Sequence, residues 1–212
     1  MDAVIRKYDH VAARYDRRWA RYLTDTARYL AACLDGPPPH TILDAPCGSG
    51  WFTRCLAEKY PDAHLIGVDG SYGMLSQARI ECAPHPRIRL IHAVVEALPL
   101  AAMSCEWVLC ANTFHYFPHP LLVLEEFRRI ITPSGRLVIV DWCRESIRSC
   151  AINRWLQWRD PTHVKTYTRF ELQRLLEEAG FVTQRTECFR ASWFLGWRIW
   201  DMMLVIAQPR EV

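Results

Sequence analysis

The 212-residue sequence predicts an α/β fold, an open and mostly parallel sheet wrapped by helices. Three observations carry that expectation. Short apolar runs alternate with amphipathic stretches of helical length between residues 40 and 142, and such crossovers generate parallel strands. A glycine turn, CGSG at residues 47–50, joins the first apolar run to a helix. The last two apolar runs, FVTQRTECF and WDMMLVIAQ, read as a closing hairpin.

Residues 1–35 read as helix in two segments. In the second, Trp19, Leu23, Ala27, Leu30 and Leu34 recur at three- and four-residue steps and share a face. Gly36 and the prolines at 37, 38 and 39 stop it. HTILDA is then the first strand, followed by a helix over about residues 51–60. HLIGVD is the second strand, with a helix over about 72–82, and IRLIHAVV is the third. EWVLCAN, a helix over about 120–131 and RLVIVDW continue the alternation. Past Trp142 comes a helical insert over about 145–158, then the helix ELQRLLEEAG, closed by Gly180 as a C-cap, then the hairpin. No repeat, low-complexity segment or long linker divides the chain, so residues 1–212 read as one domain.

Composition narrows the function classes. Half the residues are hydrophobic and 23% are charged, as in a globular domain. No apolar run reaches the 18 residues of a spanning helix, and the N-terminus lacks the apolar core of a secretory signal, so a cytoplasmic location is expected. The net charge of +3 is spread along the chain, which argues against a nucleic-acid partner. Nine cysteines occur without a CxxC pair, so no metal site is expected and most read as reduced apolar fillers.

A strand ending in a glycine turn that opens a helix offers free N–H groups and the positive end of a dipole. A dinucleotide fingerprint needs a third glycine where this chain has Thr53, and a phosphate-binding P-loop needs a lysine that is absent. Two acids redirect the reading. Asp44 precedes the glycines, where it would repel a pyrophosphate but suit an ammonium group. Asp69 ends the second strand, where an acid takes both hydroxyls of a ribose. Together they favour a ligand combining a ribose with positive charge.

At these residues the sequence resembles class I S-adenosylmethionine (SAM)-dependent methyltransferases, in the small-molecule branch that includes ubiquinone/menaquinone-biosynthesis enzymes. LDAPCGSG resembles their first motif, GVDGSYGML the segment after the second strand, and VEALPL the stretch after the third. EEFRRIITPSGRLVIVDW resembles the approach to the fifth strand, and TRFELQRLLEEAGF the later helix. The matches run in order from about Asp9 to Pro209. The resemblance implies a Rossmann-like, doubly wound, seven-stranded sheet with an antiparallel last strand. It also implies a helical lid at residues 1–35 and an insert at 143–168 over the acceptor site.

The resemblance further implies SAM as cofactor, with S-adenosylhomocysteine as product. Asp44, Gly48 and Gly50 would line its methionine part, Asp69 would bind the ribose, and Ser71 with Met74 would flank the adenine. Where many relatives carry an aspartate near the adenine amine this chain has Val94, so the backbone of Val94 or Val95 would read that edge, with Glu96 nearby. Asn112, past the fourth strand, would join the cofactor site close to the methyl group, and Tyr15 of the lid would face the sulfonium.

Methyl transfer depends chiefly on near-attack geometry, and a base is required only where the nucleophile must lose a proton. His115 is the candidate base, with a packed structural histidine as the alternative. Asn112-Thr113-Phe114-His115 differs from the Asn-Pro-Pro-aromatic turn of enzymes that methylate bases. Trp142, Trp155, His163 and Tyr167 are the acceptor-site candidates, suited to a planar or apolar small molecule. Ile147, Ala151, Trp155 and Trp158 share one helical face, expected to be core or pocket wall. Cys143 and Cys150 on the same insert leave thiol-dependent metalloid methylation as a minor alternative. Trp193, Trp197 and Trp200 fall at helical steps, as packing, a dimer patch or a peripheral membrane contact. Two rival functions stay open: a SAM-using enzyme of different reaction, and a non-catalytic SAM-binding module.

Overall fold

A computed structural model describes residues 2–192 and 198–210. The N-terminal segment is one continuous helix, α1 (Asp2–Cys33), where two were expected. No glycine or proline interrupts it, so nothing breaks its hydrogen-bond ladder over a length of ~48 Å. The alternating elements follow: β1 (Thr41–Asp44), α2 (Trp51–Lys59), β2 (His64–Asp69), α3 (Tyr72–Cys82), β3 (Ile88–His92) and β4 (Cys105–Ala111). Then come α4 (Pro120–Ile130), β5 (Ile131–Trp142), α5 (Ile147–Arg159), α6 (Arg169–Glu178), β6 (Phe181–Ser192) and β7 (Arg198–Pro209).

The seven strands form one sheet in the order β3-β2-β1-β4-β5-β7-β6. The first five are parallel, and β7 runs antiparallel between β5 and β6. Each face carries an apolar core. Phe114, Phe117, Phe127, Leu172 and Phe181 lead one, while Tyr22, Leu23, Leu30, Phe52 and Trp107 lead the other, beneath α1 and α2. The chain leaves β1 for β2 and β3 on one side, and enters β4 and β5 on the other. The order therefore reverses between β1 and β4, and ligands of such sheets sit at the carboxyl ends of the strands flanking that point.

No helix among the described residues is long and apolar enough to cross a membrane. Trp193 and Trp197 lie outside the described residues. Trp200 is buried within β7, so the helical spacing read there gives way to strand.

Candidate functional site

At the switch point lies a cleft with about 760 Å³ of empty space, part of it open to solvent. The glycine turn supplies Cys47, Gly48 and Ser49, the end of β2 supplies Asp69, Gly70 and Ser71, and the end of β4 supplies Ala111 and Asn112. Met74, Val94 and Val95 wall one part, and Val4, Ile5, Tyr8 and Tyr15 of α1 roof it.

The turn works because of its glycines. Gly48 and Gly50 hold φ of 55° and 82°, in the left-handed region that side chains disfavour. A Cβ on Gly50 would also fall 2.8 Å from Cys82 Sγ on α3, whereas one on Gly48 would meet nothing within 4 Å. Gly50 thus brings α2 against α3, and Gly48 keeps the floor of the cleft open. The Gly48 amide donates to Asp69 Oδ2 at 2.8 Å, and the Ser71 amide donates to Oδ1 at 2.8 Å. Burial nonetheless raises the Asp69 pKa. Ser71 caps α3 by accepting the Met74 amide at 3.1 Å.

Asp44 stands behind this wall and is absent from the cleft lining. It is 1% exposed, Thr53 of α2 donates to its Oδ2 at 2.6 Å, and Oδ1 has no hydrogen-bond partner. Burial pushes its pKa up to about 7. Glu96 is likewise outside the lining, although its Oε2 is buried and unpartnered.

Asn112 adopts φ of 57° where the chain turns off β4. Its Oδ1 accepts the Tyr22 hydroxyl at 2.7 Å, the Tyr22 oxygen accepts Trp142 Nε1–H at 2.8 Å, and Asn112 Nδ2 is buried without a partner. The relay fixes the amide with its oxygen toward Tyr22, leaving its N–H₂ as an unspent donor. Beside it, His115 is 2% exposed. Asp141, at the end of β5, accepts the His115 amide at 2.8 Å through Oδ2 and holds Nδ1 at 2.7 Å through Oδ1. In a neutral ring, a carboxylate on Nδ1 makes Nδ1 the protonated nitrogen and leaves the lone pair on Nε2. Nε2 is buried and has no hydrogen-bond partner.

Of the acceptor-site candidates, Trp142 and His163 gather around this histidine. Trp142 stacks on His115 at 4.3 Å and on Trp200 at 4.5 Å, and His163 lies 5.3 Å from His115. Burial, with the His115 ring beside it, lowers the His163 pKa to about 4. The other two are elsewhere. Trp155 is 51% exposed on the outer face of α5, and Tyr167 packs edge-on against Phe114 in the apolar core. Cys143 is buried and Cys150 is exposed, both as free thiols.

Residues not singled out from the sequence complete the arrangement. Asp141 is the chief one, and its only sequence signal is an acid at the end of a strand. Helix α1 is clasped three times. Asp9 accepts the Ser71 hydroxyl at 2.6 Å and the Gly73 amide at 2.9 Å, and these bonds hold its carboxyl below the usual range. Asp16 accepts the Ser49 hydroxyl at 2.5 Å, and Lys7 reaches Asp160 at 2.5 Å and Thr162 at 3.1 Å. No group of three potential metal ligands occurs among the described residues.

The cleft fits the bound group that the sequence resemblance implies. One lining brings together the Asp69 carboxylate, the apolar side chains of Met74, Val94 and Val95, the open Gly48 floor, the aromatic rings of α1 and the unspent Asn112 amide donor.

Comparison with known proteins agrees. The methyltransferase domain model matches residues 11–186. The ubiquinone/menaquinone biosynthesis C-methyltransferase UbiE of Syntrophotalea carbinolica is 37% identical over 102 residues, 48% of this chain and 43% of that protein. A malonyl-[acyl-carrier protein] O-methyltransferase of Legionella pneumophila is 32% identical over 100 residues, 47% of this chain and 35% of that one. The matched part is thus less than half the length of either relative. Among solved structures, a chain in the complex of the Haloferax volcanii Trm112 methyltransferase activator with a putative methyltransferase superposes with TM-score 0.82. It is 19% identical, with 98% of each chain covered, a likeness of fold.

Proposed function

Because the chain belongs to the methyltransferase domain family, we propose that it transfers a methyl group from S-adenosylmethionine to a small-molecule acceptor. The observation that carries this reading is the cleft at the switch point, with the Asp69 carboxylate and the open Gly48 floor on its wall. When bound, S-adenosylmethionine supplies a methyl group on a sulfonium. Asp69 has lone pairs left beyond its two amide bonds and would hold the ribose hydroxyls, with Met74, Val94 and Val95 enclosing the base. Asn112 Nδ2 would donate to the carboxylate of the methionine part, and Tyr15 would present its ring to the cation. The Asp44 carboxylate would act on the ammonium group through the turn, without direct contact.

His115 and Asp141 supply what an ionisable acceptor needs. With Nδ1–H fixed on Asp141, Nε2 would take a proton from a hydroxyl, and the carboxylate would steady the imidazolium that results. The acceptor class best suited is aromatic and quinol-like. Trp142, His163 and Tyr116 surround His115 with aromatic rings, and UbiE by its name belongs to quinone biosynthesis. The test is a transfer screen with methyl-labelled S-adenosylmethionine over quinols, phenols, amines and thiols. Label on quinols or phenols, suppressed in His115→Gln, supports the reading; label on no acceptor contradicts it.

A further inference from the structure

The insert helix α5 turns large apolar side chains to solvent and polar ones inward. Its inner side buries Ser149 and Asn153, with Ile152 and Leu156 only partly packed on the core. Its outer side shows Ile147, Trp155 and Trp158 to solvent, at 92%, 51% and 78% exposure. At 3.6 residues per turn these three, with Ala151 and Arg154, fall within an arc of about 100°. The face expected from spacing to be core or pocket wall is the face turned outward. Large apolar side chains grouped on a surface mark a site of interaction.

We propose that α5 docks the protein on the surface of a bilayer carrying anionic lipid. The charges select that occupant. Arg154 lies four residues before Trp158, and Arg159 four residues after Trp155, so each tryptophan has an arginine one turn away. Neither arginine has an ion-pair partner among the described residues, whereas Arg148 is engaged by Asp201 at 2.9 Å. Residues 147–159 contain no acid, and Asp160 beyond them is held by Lys7. Indole rings settle at the boundary between headgroups and acyl chains, and arginines beside them meet lipid phosphates. A second copy of the chain fits poorly. Two-fold pairing of α5 would set its arginines against one another with no acid between them. Three large side chains also fall far short of the roughly 20–30 residues a side of a stable interface. With no helix fit to cross a membrane among the described residues, the contact is peripheral. The inference stands apart from the methyl-transfer reading, because it uses none of the cleft residues.

The test is co-sedimentation of the full chain with vesicles of phosphatidylcholine alone, or of phosphatidylcholine with phosphatidylglycerol. The expected result is binding to the anionic vesicles that weakens with added salt. Binding should fall about tenfold or more in Trp155→Ser/Trp158→Ser and in Arg154→Glu/Arg159→Glu. Should the serine variant not fold, quenching of tryptophan fluorescence by brominated phosphatidylcholine replaces it, with part of the quenching lost in Trp158→Phe. No binding to either vesicle overturns the proposal, as does undiminished binding by the variants. Self-association that the tryptophan substitutions abolish, without vesicle binding, overturns it in favour of a second copy.

Discussion

Asp44→Asn separates the electrostatic cost of the site from its use. Asp44 is 1% exposed, one carboxyl oxygen has no hydrogen-bond partner, and burial raises its pKa to about 7. In the unfolded chain an aspartate titrates near 3.9. The folded value lies above the unfolded one, so the associated stability is present in full below about pH 4 and is lost as pH rises through about 7. Roughly three pH units at 1.36 kcal/mol each put the loss at up to about 4 kcal/mol, a ceiling that relaxation and water penetration reduce. Asparagine keeps the shape and can still accept the Thr53 hydroxyl, but it carries no charge. Denaturant unfolding near pH 4 and near pH 8 is the assay. The variant should gain roughly 1–4 kcal/mol over wild type at the higher pH relative to the lower, flattening the profile. Parallel profiles for the two proteins would refute the reasoning. The same variant should bind S-adenosylmethionine more weakly at the higher pH, because the buried charge that acts on the ammonium through the turn is gone.

The remaining predictions concern the base, the roof and the clasp. His115→Gln should lower methyl transfer to a hydroxyl acceptor by roughly 10²–10⁴-fold with cofactor affinity unchanged, and Asp141→Asn should do likewise, as rate and titration measured side by side will show. Tyr15→Ala should weaken S-adenosylmethionine binding by roughly 0.5–2 kcal/mol in calorimetry, with a smaller change for the uncharged product. A Cβ at Gly73 would stand 2.9 Å from the backbone oxygen of Asp9. Gly73→Ala should therefore cost about 1–3 kcal/mol and speed hydrogen exchange in the first turns of α1.

What the sequence makes legible here is local. The strand-turn-helix at residues 41–52, the alternation up to Trp142 and the closing hairpin all announce themselves through period, glycine and acid. Gly48, Asp69, Ser71, Met74, Val94, Val95, Asn112 and Tyr15 are brought together on one cleft. Pairings across the fold are not legible, because no period links the partners. Asp141 meets His115 only through the parallel register of β4 and β5, and Asp9 meets Ser71 and Gly73 only when α1 lies over α3. Helical spacing on α5 places Trp155 and Trp158 on one face without telling whether that face turns in or out. Buried Ser149 and Asn153 settle it: Asn153 Oδ1 accepts from Thr166 and contacts His163, which binds the polar side inward.

The central claim is that the glycine turn and Asp69 hold an amino acid joined to a nucleoside. Isothermal titration of the protein with S-adenosylmethionine and with S-adenosylhomocysteine tests it most directly. The structure predicts saturable one-to-one binding of both. It also predicts a loss of roughly 1.5–3 kcal/mol in Asp69→Ala, which removes charge-assisted hydrogen bonds to the ribose. No heat from either ligand, in a protein that melts cooperatively, would contradict it.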